Sequence, residues 1–74
     1  MSPNELVRTL TDDELRRATS DALTWRKQGI LSGEKLREVA QRLAAEAGVE
    51  DFDSNRMADA LVVEEAAARF ARQP

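Results

Sequence analysis

The stretch Leu31–Val49, LSGEKLREVAQRLAAEAGV, sets the terms for the rest of the chain. Its apolar residues Leu36, Val39, Ala40, Leu43, Ala44 and Ala47 recur at i, i+3, i+4, i+7, the spacing of one helix face. Ser32 precedes them as a candidate N-cap and Gly48 follows as a candidate stop, so the segment reads as a helix over about 33–47. One apolar face demands covering, and the remaining sequence must supply the cover.

It does so with further helices. Ser2-Pro3-Asn4-Glu5 is a capping pattern that opens a short helix at about 3–9. Thr11-Asp12-Asp13-Glu14 is a second Thr-x-x-Glu start, with acids where the helix dipole favours them. The helix it opens spans about 12–28, with Leu15, Ala18, Ala22 and Trp25 on one side and Gly29 as its left-handed stop. Trp25 is expected to pack in the core against Ile30. After Glu50-Asp51-Phe52, Asp53 is the expected cap of a last helix over about 54–72. Leu10, Leu31 and Phe52 each precede a capping residue and stand five residues before Leu15, Leu36 and Met57, the spacing of a hydrophobic staple. The expectation is an all-α single domain, 1–74, of three main helices and a short N-terminal one. Connections this short predict antiparallel neighbours, hence parallel second and fourth helices.

Composition removes most chemistry. The chain has no cysteine, histidine or tyrosine, so thiol nucleophiles, thiolate metal sites and imidazole bases have no residue to supply them. Residues 1–30 hold five acids and five bases, 31–52 five and three, and 53–74 four and three. With no basic third and a net charge of −3, the footprint of a duplex-DNA binder is missing. No signal-peptide pattern opens the chain, and no apolar run approaches the ~18 residues of a membrane span, so a cytoplasmic protein is expected. Nine arginines against two lysines, with twelve alanines, point to a GC-rich bacterial or phage gene.

Three motifs dissolve on inspection. Asp51-Phe52-Asp53-Ser54-Asn55 begins like a calcium loop but has Arg56 and Val62 where glycine and glutamate are required. Ser32-Gly33-Glu34-Lys35 lacks the upstream glycine and strand of a phosphate loop. The bases Arg16, Arg17, Arg26 and Lys27 share their helix with Asp12, Asp13, Glu14 and Asp21, which makes a solvated face. No catalytic, cofactor-binding or metal site is predicted.

The last helix carries the functional expectation. Met57, Ala60, Leu61, Val63, Ala67, Ala68 and Ala71 form its main arc, expected to face the core, with Glu64 within it. Ala58, Val62, Ala66 and Phe70 form a second stripe, and a helix apolar on two sides asks for two neighbours. The stripe is predicted to be a dimer or partner interface, with Arg69 and Arg72 at its rim. An Arg26–Glu64 ion pair is expected between parallel helices. The function expected is a non-enzymatic protein-interaction module, a homodimeric regulator, adaptor or inhibitor of another protein. A small helix-turn-helix-like nucleic-acid-binding regulator is the alternative.

Overall fold

The computed structural model describes residues 1–71. They form four helices, α1 (Pro3–Arg8), α2 (Asp12–Gln28), α3 (Glu34–Glu46) and α4 (Asp51–Phe70), and no strand. The all-α bundle expected from periodicity is the fold. The expected helix end at residue 72, and Arg72 itself, lie outside the described residues.

Local chemistry explains the first two helices. Ser2 Oγ accepts from the Glu5 N–H at 3.2 Å, and Pro3 occupies the first turn, where its missing N–H costs nothing. At α2 the capping box is complete: Glu14 N–H donates to Thr11 Oγ1 and Thr11 N–H donates to Glu14 Oε1. The Thr11 N–H, and after it the Lys35 ammonium, hold the Glu14 carboxyl at about 2, well below its usual 4.5. Both stops adopt the left-handed backbone, Gly29 at φ 75° and Gly48 at φ 69°.

The starts of α3 and α4 differ from expectation. Ser32 is not a cap. Gly33 occupies the N-cap without a side-chain bond, and Asp21 of α2 accepts from the Leu36 N–H at 3.0 Å instead. An N-cap function has been moved onto a neighbouring helix. Asp53 is not a cap either, because α4 begins at Asp51 and residues 51–55 are helical rather than a linker. Ser54 Oγ returns a bond to the Asp51 carbonyl at 2.9 Å, and two acids in the first turn suit the dipole. Phe52 is consequently exposed and makes no staple, and Ile30 is exposed as well rather than buried on Trp25.

Helix direction is set by three contacts. Asp12 meets Arg69, the Thr19 hydroxyl reaches the Val62 carbonyl, and Arg26 grips Asp59. The partners descend α4 as they climb α2, so the two helices run antiparallel, not parallel. The connection Gly29–Gly33 sets where α3 starts. Gly33 lies beside Asp21, about 10 Å back along α2 from Gln28, a distance five extended residues span easily. Helix α3 thus begins alongside the middle of α2, and Lys35 Nζ reaches Glu14 in the first turn of α2 at 3.1 Å. The expected Arg26–Glu64 pair is replaced by Arg26–Asp59, with Nη2 to Oδ2 at 2.7 Å.

Leu15, Ala18 and Ala22 of α2 meet Leu36, Val39, Ala40 and Leu43 of α3 in the core, as the periodicity predicts. Helix α1, despite its six residues, adds Leu6 and Val7, and Leu10 follows. The Cα envelope measures 37 × 31 × 15 Å. Its short dimension matches two helix layers with axes about 10 Å apart and Cα radii of about 2.3 Å.

Candidate interaction face

Helix α4 is apolar on every side, so hydrophobicity alone cannot orient it. Its polar anchors do. Besides Arg26–Asp59 and Thr19–Val62, Arg69 reaches into the α1–α2 junction. Its Nη1 donates to the Leu10 carbonyl at 2.8 Å and to Asp12 at 3.2 Å. Its Nη2 donates to the Arg8 carbonyl, and both Nη2 and Nε donate to Glu65. The Arg8 carbonyl is one that a short helix leaves unpartnered at its C-terminus, and the Leu10 carbonyl lies just beyond the end of α1. Arg69 therefore caps α1 from the far end of the sequence.

These ties reverse the two faces expected of α4. Ala58 and Val62 are fully buried in the chain's own core, and Ala66 and Phe70 are half-buried against it. Arg69, its side chain 19% exposed, is an internal clamp rather than a rim residue. The expected interface packs on the chain itself, Ala58 and Val62 wholly and Ala66, Arg69 and Phe70 in part. The physical reason is ridge packing. Residues four apart form the row that fits between crossing helices, and Ala58 and Val62 meet a core whose α2 side is Ala18 and Ala22. Phe70 closes the row beneath the Arg16 guanidinium, 4.5 Å from the ring centroid.

The arc expected in the core is split, with Leu61 and Val63 packed against the core and the rest outside. Met57, Ala60, Ala67 and Ala68 are exposed, while Leu61 and Val63 are half-buried. A second i, i+4 row crosses this outer face and is exposed throughout: Phe52, Arg56, Ala60, Glu64 and Ala68. Phe52, at its head, is 80% exposed. Among the described residues, Arg56 and Glu64 join no ion pair. A shallow groove lined by Trp25, Arg26, Arg56 and Asp59 runs along one side of the row, and another lined by Met57, Leu61 and Glu64 along the other. Sequence reasoning missed this row because Phe52 was read as a staple and not as helix. Its five-member i+4 regularity was the available signal. No helix among the described residues is long and apolar enough to cross a membrane. Comparison with protein-family models, with curated proteins and with solved structures finds no match to this chain, so the outer face of α4 is what carries a reading of function.

Proposed function

We propose that this chain is a non-enzymatic protein-interaction module, a small regulator, adaptor or inhibitor of another protein, that docks through the outer face of α4. The observation that carries the reading is the exposed row headed by Phe52. A large aromatic held in solvent on a rigid helix, spaced one turn from further contacts, is the form of anchor that partner grooves take up. The absence of cysteine, histidine and tyrosine from the sequence supports a role without catalysis. Nucleic acid is a poor fit to the bases of α2, since Arg26 is held by Asp59 and Arg16 lies over Phe70. The setting implied is the bacterial cytoplasm, the source a bacterium or its phage, on the strength of composition.

The test is a capture experiment from the source cell with three baits: wild type, Phe52→Asp and Ala60→Arg. One protein retained by the wild type and lost with both variants is the expected result. A protein held equally by all three baits removes the outer face of α4 from the function.

A further inference from the structure

Resting on that docking reading, we propose that in the free protein the occupant of the outer face is a second copy of this chain, its α4 crossing antiparallel over the first at Ala60. The row Phe52, Arg56, Ala60, Glu64 and Ala68 is its own complement when reversed about its middle member. Ala60 falls on the two-fold axis, and its methyl allows the helix axes to approach to about 8 Å. One turn away on either side, Arg56 of one copy comes level with Glu64 of the other. Two turns away, Phe52 comes level with Ala68, a large side chain over a small one.

The charges argue most strongly for a copy over any other occupant. Arg56 and Glu64 are eight residues apart, about 12 Å along the helix, too far to satisfy each other within one chain. Both are exposed, and neither has an ion-pair partner among the described residues. Opposite charges placed symmetrically about an alanine match an isologous interface, in which residue i meets j and j meets i. Packing of i±4 ridges against each other is the commonest way for helices to cross.

Sedimentation of the purified full chain tests this. The wild type should dimerise below about 1 mM, a concentration at which even weak pairs associate. Arg56→Glu and Glu64→Arg should each weaken the dimer by about tenfold or more, because each sets like charges face to face twice. The double variant Arg56→Glu/Glu64→Arg should return to the wild-type level. Mixing the two single variants should restore association as a heterodimer, which an unfolded variant could not do. A wild type that stays monomeric overturns self-association alone and leaves the docking reading to the capture experiment. A dimer indifferent to both reversals overturns self-association through this face and likewise leaves the docking reading to the capture experiment.

Discussion

The Asp21 carboxylate occupies the space that a side chain on Gly33 would need: a Cβ there would lie 1.9 Å from Asp21 Cγ. Gly33 has φ −79° and ψ 139°, an ordinary extended backbone. Glycine is therefore required by its neighbour and not by its torsion angles. Gly33→Ala should cost about 1–3 kcal/mol in the wild type through overpacking. In an Asp21→Ala background the same change should be neutral or stabilising by up to about 1 kcal/mol, because only the entropy gain remains. Asp21→Ala alone should cost about 1 kcal/mol as a lost cap. Urea unfolding of the four proteins measures the coupling, and simple additivity would dismiss this account.

Arg69 gives a second prediction. Replacing it with Met keeps the aliphatic stem but strands the Arg8 and Leu10 carbonyls, at a cost of about 2 kcal/mol. Arg69→Lys should recover less than half, since one ammonium cannot reproduce the fork. Hydrogen exchange should quicken in Leu6–Leu10, about 60 residues away in sequence. Unchanged exchange there would make Arg69 an ordinary surface residue.

Glu14 makes the fold acid-sensitive. Its folded pKa of about 2 lies below the usual 4.5, so the unfolded chain takes up this proton first. Stability from this group is complete above about pH 4.5 and is lost as the pH falls towards about 2. Denaturation midpoints of wild type and Glu14→Gln should differ at pH 6 and converge near pH 2. A gap that persists at pH 2 would assign the difference to hydrogen bonding alone.

Gly29 and Gly48 test backbone strain without steric interference, since nothing lies within 4 Å of a Cβ added to either. Alanine at each should cost about 1 kcal/mol, and asparagine, which tolerates the left-handed region, less. Equal losses for alanine and asparagine would contradict a purely conformational cost.

Val62 and Met57 separate the two sides of α4. Val62→Asp puts a charge into the core and should destabilise by about 3–5 kcal/mol, whereas Met57→Asp should stay within about 0.5 kcal/mol. Thermal melts followed by circular dichroism distinguish them.

How far the sequence carried depended on whether information was local. Caps and stops such as Thr11, Gly29 and Gly48 act within one turn, and they located α1, α2 and α3 closely. The buried sides of α2 and α3 were legible because charge opposes apolarity around each helix. Helix α4 offered no such contrast, so the bulk of Met57 suggested the wrong side. What orients it is Arg69, Asp59 and the Val62 carbonyl, and their partners lie 33 to 61 residues away. Asp21 was equally illegible, since nothing in its own helix marks it as the cap of the next. The direction of α4 is read from its distant ties to α2, which no periodicity encodes.

The clamp between Arg69 and the end of α1 also sets an order in time. A ribosome adds roughly 5–20 residues per second, so Arg69 is made roughly 3–12 s after Arg8, whose carbonyl it must cap. Until then the first helix has neither its cap nor the α4 wall it packs against. The nascent chain cannot complete its native core, nor cap the end of its first helix, before α4 has been made.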